Sequence, residues 1–381
     1  MQRVNFNLME STVIRAHTET VGSLLRPQAL LMARTSFAAG RLPLAEFKSI
    51  ENKAVDEVLA LQKEVGLDVV TDGEMRRLSF QSQMTEAVEG FGEVGLDAFI
   101  WGDWHDDDTL VPQKKKRPAN LGITGRLRRK RSLSTEEFVY LRERTNRIAK
   151  VTLPSPSLFV NFWSLAHRPD AYHSLDAFLA DVVAILREEI SELIQLGARY
   201  IQLDAPHYPL LLDVATRAFY ESRGWTMTEW LDRGIELDNS VMSGFSEVTF
   251  GMHLCRGNQG GRWLVEGGYE PIAEAIFKKV GATRLLLEYD DTRSGSFKPL
   301  RHIPEDKTVV LGLISTKRPE LESIEVLLQR IEEAQRFIPV ERLALSPQCG
   351  FSTSILGSSL SISDQKRKLE LVSEVARRVW D

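Results

Sequence analysis

Eight short apolar runs recur along the 381-residue chain, and each stops on or beside a polar residue. They are Val13 to His17, Asp68 to Asp72, Val151 to Pro154, Tyr200 to Asp204, Val248 to His253, Arg284 to Glu288, Val309 to Ile314 and Leu343 to Ser346. Short runs rich in β-branched residues and bounded by Gly, Pro, Asp or Ser read as strands. Most are followed by a helical pattern. Ser174 to Leu196 places Leu175, Phe178, Leu179, Val182, Val183 and Leu186 on one face, and Ile324 to Phe337 and Ser363 to Val379 follow the same spacing. Strands that alternate with helices pair in parallel. Eight such units predict an α/β chain closed into a (β/α)8 TIM barrel, with a doubly wound open sheet as the alternative.

The polar residues at the strand ends favour the barrel. They are His17-Thr18-Glu19, Asp72-Gly73-Glu74, Asp204, His253-Leu254-Cys255, Glu288, Ser315 and Gln348-Cys349. A barrel gathers all C-terminal strand ends on one face, where active sites are built. Residues far apart in the chain then share one pocket.

One stretch, 91–134, breaks the alternation and reads as an inserted hairpin or loop arm between the second and third strands. It holds Trp101 to Asp108, a basic run from Lys114 to Arg117, and a second from Arg126 to Arg131. Such runs suit RNA or an anionic tail, but neighbouring acids offset them, and a solvated surface is the favoured reading. The arm could also cover the pocket or pair with another subunit of a homo-oligomer. Ser134 and Glu137 then stand at capping-box spacing. Residues 1–381 are expected to form a single barrel domain, with the arm inserted within it.

A net charge of −5 gives no general pull toward nucleic acid. No run of about 18 apolar residues is present to span a membrane. Met1 to Ser11 is polar, without the apolar core of a signal peptide, so a cytoplasmic location is expected. With only two cysteines, a disulfide framework is excluded, and a reducing compartment fits.

Those two cysteines, Cys255 and Cys349, both fall at strand ends. His253 and Cys255 are two residues apart, so on a strand they face the same side. Glu288 ends the strand between them. A histidine, a carboxylate and two thiolates make a plausible Zn²⁺ set, against the alternative of two inert buried thiols. Two sulfurs bound to one ion at about 2.3 Å must lie within about 5 Å of each other. Zinc at such a site keeps a bound thiol deprotonated near neutral pH, and the thiolate is the nucleophile. Glu288, the hardest donor, is the one expected to loosen for a substrate sulfur.

Six motifs in order then resemble the catalytic half of cobalamin-independent methionine synthase and its single-barrel relatives. They are Val21-Gly22-Ser23-Leu24-Leu25-Arg26-Pro27, Thr71-Asp72-Gly73-Glu74, Ile201-Gln202-Leu203-Asp204, His253-Leu254-Cys255-Arg256-Gly257-Asn258, Leu287-Glu288-Tyr289-Asp290 and Ser346-Pro347-Gln348-Cys349-Gly350. The resemblance covers nearly the whole chain. It implies a zinc-bearing barrel that transfers a methyl or other alkyl group to a thiol, with metal ligands His253, Cys255, Glu288 and Cys349. It implies homocysteine as the thiol, held by Ser23, Glu74 and Asp204, and 5-methyltetrahydrofolate as a candidate donor in methionine biosynthesis. Two carboxylates suit an ammonium group.

Two places depart from the family. Lys317 stands where the synthases carry a histidine that protonates the leaving nitrogen; a lysine acts so only if burial lowers its pKa. Ala205 replaces a second acid. Arg256, with Arg262 and Lys317, could instead read a carboxylate or sulfonate, which suits the related epoxyalkane:coenzyme M transferases. A third reading is a non-catalytic RNA- or partner-binding barrel. The partners expected are a small-molecule thiol and an alkyl donor. His17, Glu19, Phe162, Trp163 and His207 are further candidates for contact with substrate, with packing roles as the alternative.

Overall fold

The computed structural model describes residues 14–93, 104–105, 121–163, 170–222 and 225–381. Nine strands are present among them: β1 (Val69–Val70), β2 (Val88–Glu93), β3 (Leu121–Arg129), β4 (Ile148–Pro154), β5 (Tyr200–Asp204), β6 (Thr249–Leu254), β7 (Arg284–Glu288), β8 (Thr308–Ile314) and β9 (Leu343–Pro347). Seven of them form one parallel sheet in the order β1-β4-β5-β6-β7-β8-β9. The two edges of that sheet meet through an eighth segment, since Thr18 bridges Leu345 of β9 and Glu19 bridges Val69 of β1. The curled parallel sheet is that of a TIM barrel.

The first expected strand, Val13 to His17, is displaced. Bridge pairing falls on Thr18 and Glu19; the His17 carbonyl still accepts from Leu345 N at 2.8 Å, while the Asp68 carboxylate accepts the N–H groups of His17 and Thr18 at 2.9 and 3.0 Å. A side chain thus takes the donors a ladder would use. β1 is short for a similar reason: the Gln62 amide pairs with both backbone groups of Thr71, at 2.8 and 2.9 Å.

The helices cover the barrel with the faces their spacing foretold. Leu175–Gln195 buries Phe178, Leu179, Val182, Leu186 and Ile190 and is capped by Ser174, whose hydroxyl accepts from Ala177 N. Ser134 also precedes a helix, Thr135–Arg142, but the capping box does not form. Arg77 takes the Glu137 carboxylate at 2.7 Å instead. No described helix is long and apolar enough to cross a membrane.

The insertion contains an antiparallel hairpin, β2 with β3. Lys114 to Arg117 lies outside the described residues. The second basic run is matched by acids: Arg126 pairs with Asp181 at 3.1 Å, and Arg129 with Glu188, Glu189 and Glu192.

Candidate metal centre

The C-terminal strand ends converge as the barrel requires. His253 lies near the C-terminal end of β6 and Cys255 just beyond it, while Cys349 follows β9. All three are buried, and their ligating atoms lie within 4.8 Å of one another. Neither ring nitrogen of His253 has a hydrogen-bond partner, an expensive arrangement for a buried imidazole unless a cation completes it. The two thiols lie side by side and influence one another. The neighbouring Cys349 thiol, with His253 beside it, holds the Cys255 thiol well below its usual range; contact with Cys255 and burial push Cys349 well above. Soft donors in this arrangement fit a zinc ion.

Glu288 ends β7 close by, but its carboxylate is engaged elsewhere. Oε1 accepts from Lys317 Nζ at 2.8 Å and Oε2 from Arg256 N at 2.6 Å. Lys317 also pairs with Asp290 at 3.0 Å. Burial alone would depress the Lys317 ammonium, but Asp290 and Glu288 outweigh it and hold its pKa above the usual lysine value. Proton donation by Lys317 would need the opposite shift, whereas the reading of Lys317 as a point charge agrees with its place between two carboxylates.

A cavity of about 440 Å³ opens onto the thiol–imidazole cluster. Ser23, Glu74 and Asp204 line it together with His253, Cys255 and Cys349. Glu74 is set by an unusual backbone. It follows Gly73 (φ 69°) and itself sits at φ 56°, with its N–H donating to Asp72 Oδ1 at 3.0 Å. Non-glycine residues in this region are held by their surroundings and concentrate at functional sites. Its Oε1 accepts from Thr152 at 3.0 Å, while Oε2 is buried without a partner. Gly22 permits the approach, since a Cβ there would stand 2.8 Å from Glu74 Oε1. Asp204 ends β5 and accepts from Gln202 Nε2 at 2.7 Å. Burial pushes its pKa up to about 7, against the opposing pull of His253.

The other candidates lie elsewhere. Arg256 does not line the cavity: it donates to the Gly267 and Glu288 carbonyls and stacks over Tyr269 at 4.2 Å. His17 bonds the Leu343 carbonyl and stacks on Trp380. Glu19 is buried among Lys150, Arg284 and Tyr200. Phe162 and Trp163 belong to the core. His207 is buried, with Nε2 2.8 Å from Ser157 Oγ.

Sequence reasoning missed the cavity's roof. The loops at 78–81, which lead into the short helix Ser82–Ala87, and at 353–356 clasp through Phe80 N to Thr353 O at 3.1 Å and Ile355 N to Leu78 O at 2.8 Å. They add Leu78, Phe80, Ile355 and Leu356 to the lining, and the insertion adds Trp104 and Leu121. Short irregular loops carry no periodic signal, although the basic arm admits a role as cover for the pocket.

The sequence profile of the family described as cobalamin-independent synthase, catalytic domain, matches residues 16–361. YxjH of Bacillus subtilis, itself uncharacterized, is 33% identical over 371 residues, covering 94% of this chain and 93% of that one. A methionine synthase of Pyrococcus abyssi is 25% identical over 337 residues, 87% of this chain and 85% of that one. Among solved structures, a Listeria monocytogenes protein with the provisional name of vitamin-B12 independent methionine synthase superposes with a TM-score of 0.69 at 26% identity, over 98% of this chain and 100% of that one.

Proposed function

We infer the function from a membership that is plain: this chain belongs to the family of the cobalamin-independent synthase catalytic domain, the methionine synthase-like methyltransferases. We propose that it is a zinc-dependent enzyme that methylates the thiol of homocysteine. The observation that carries this reading is the single cavity in which two thiols and an imidazole face Glu74 and Asp204.

His253, Cys255 and Cys349 hold the ion, and Glu288 is the fourth, exchangeable donor. Bound zinc would supply one thing, a substrate thiol kept as thiolate near neutral pH. The chain does the rest. Glu74, through its unpartnered Oε2, and Asp204 grip the substrate ammonium by charge-assisted hydrogen bonds. An arriving ammonium also draws Asp204 into its ionised form. Ser23 orients the amino-acid end. The apolar roof of Leu78, Phe80, Trp104, Ile355 and Leu356 excludes water from the reacting sulfur. The sulfur attacks the alkyl carbon in line; the S–C bond forms as the carbon–donor bond breaks, and the electron pair leaves with the donor. The reading also places the enzyme in a reducing compartment, the cytosol, because both ligand thiols must stay unoxidised.

A sulfonated thiol is less well served. Arg256 and Lys317, two of the three cations it would need, are spent on backbone carbonyls and carboxylates. The test is a screen of homocysteine and coenzyme M against 5-methyltetrahydrofolate, methylated-sulfur, betaine and epoxide donors, with metal content measured in parallel. Methionine formation by zinc-loaded protein supports the reading. Turnover of coenzyme M in preference to homocysteine contradicts it.

A further inference from the structure

Lys317 and Glu288 carry an inference that rests on the proposed thiol chemistry and goes beyond it. Both Glu288 oxygens are hydrogen-bonded within the chain, one to the Lys317 ammonium and one to the Arg256 N–H. Meanwhile the ligating atoms of His253, Cys255 and Cys349 gather without it. A carboxylate held by a cation at one oxygen and an N–H at the other is fixed in place by them, and turning toward a metal ion weakens those bonds. Breaking one member out of a buried ion pair is ordinarily costly, because it strands the other charge. Here Asp290 removes that penalty. It pairs with Lys317 at 3.0 Å, so the ammonium stays matched whichever way Glu288 turns. Arg256 N would lose an acceptor, but its neighbouring guanidinium remains bonded to the Glu288 carbonyl at 3.1 Å.

We propose that Lys317 is a positioning residue that competes with the metal for the Glu288 carboxylate and so keeps the fourth ligand position open to the substrate thiol. Glu288 moves as an anion between two cationic partners, with no proton or electron transferred. Asp290 is the anchor that holds Lys317 in place for the exchange.

The test uses the full chain loaded with cobalt(II) as a spectroscopic probe, titrated with homocysteine, and the zinc form titrated against a chelator. In Lys317→Met the carboxylate loses its alternative partner. The homocysteine concentration at half-maximal change in sulfur-to-cobalt absorption is expected to rise about tenfold, and zinc to be held about tenfold more tightly, each being about 1.4 kcal/mol. Lys317→Arg restores both values toward the wild type. Glu288→Ala is expected to keep its zinc within about tenfold of the wild type, unlike Cys255→Ala. A folded Lys317→Met with unchanged or weaker zinc binding overturns the proposal. So does a Glu288→Ala variant that loses zinc as completely as Cys255→Ala, which decides the matter even if the lysine variants do not fold. If wild-type protein shows no response to homocysteine, the thiol reading itself falls; if the wild type responds and Lys317→Met matches it, only the role of Lys317 falls.

Discussion

Lys150 Nζ lies 2.6 Å from Glu19 Oε2, and neither side chain is exposed. Glu19 also takes Arg284 at 2.7 Å and the Tyr200 hydroxyl at 2.9 Å. Burial pushes the Glu19 carboxyl up, but Lys150 and Arg284 more than offset it, and its pKa is lowered. This cluster ties the closing segment of the barrel to β4, β5 and β7. Glu19→Gln leaves two buried cations without their anion and is expected to destabilise the fold by about 3–5 kcal/mol. Urea unfolding measures it; a loss under about 1 kcal/mol would mean that the cluster is solvated in solution.

The cluster also reaches the cavity. Lys150 donates to Gln202 Oε1 at 2.8 Å, and Gln202 passes its own N–H to Asp204 at 2.7 Å. Asp204 is thus aimed from beneath. Glu74→Gln and Asp204→Asn are each expected to weaken homocysteine binding about 10- to 100-fold, the range for hydrogen bonds to charged groups. A thiol without an amino group, such as 3-mercaptopropionate, should bind these variants as it binds the wild type. Equal losses for both thiols would remove the ammonium grip from the account.

Gly350 backs Ser23 so closely that a Cβ would stand 2.1 Å from Ser23 Oγ. Gly350→Ala must displace that hydroxyl. We expect homocysteine binding to weaken about tenfold with zinc content unchanged. Retained thiol affinity, read by titration calorimetry, would show that Ser23 makes no contact with substrate.

His207 gives a pH signature. Burial lowers its pKa to about 3, whereas the unfolded chain takes up a proton near the ordinary value of about 6.5. Its neutral form is accommodated fully above about pH 6.5, and stability is lost as pH falls from there toward about 3. At pH 5 the loss is about 2 kcal/mol. His207→Gln should flatten the pH dependence of unfolding between about pH 5 and 7 relative to the wild type. An unchanged slope contradicts a buried neutral imidazole.

Much of this was legible in the chain. β5 and β7 match the expected runs Tyr200 to Asp204 and Arg284 to Glu288 because strands buried on both faces read as unbroken apolar segments. The barrel rule then placed His253, Cys255, Cys349, Glu74 and Asp204 on one face. What failed was decided by side chains from distant segments. Asp68 took the backbone donors of the first strand, and Arg77 drew Glu137 out of its capping box. No local pattern reports such partners. The clasp between Ser79 and Ser354 was invisible for the same reason.

X-ray absorption on the purified full chain, with metal content, tests the central claim most directly. The account predicts one zinc with two protein sulfur neighbours at about 2.3 Å, and loss of both the metal and methionine formation in Cys255→Ser and Cys349→Ser. A chain that methylates homocysteine without zinc, or whose zinc has no sulfur neighbour, contradicts it.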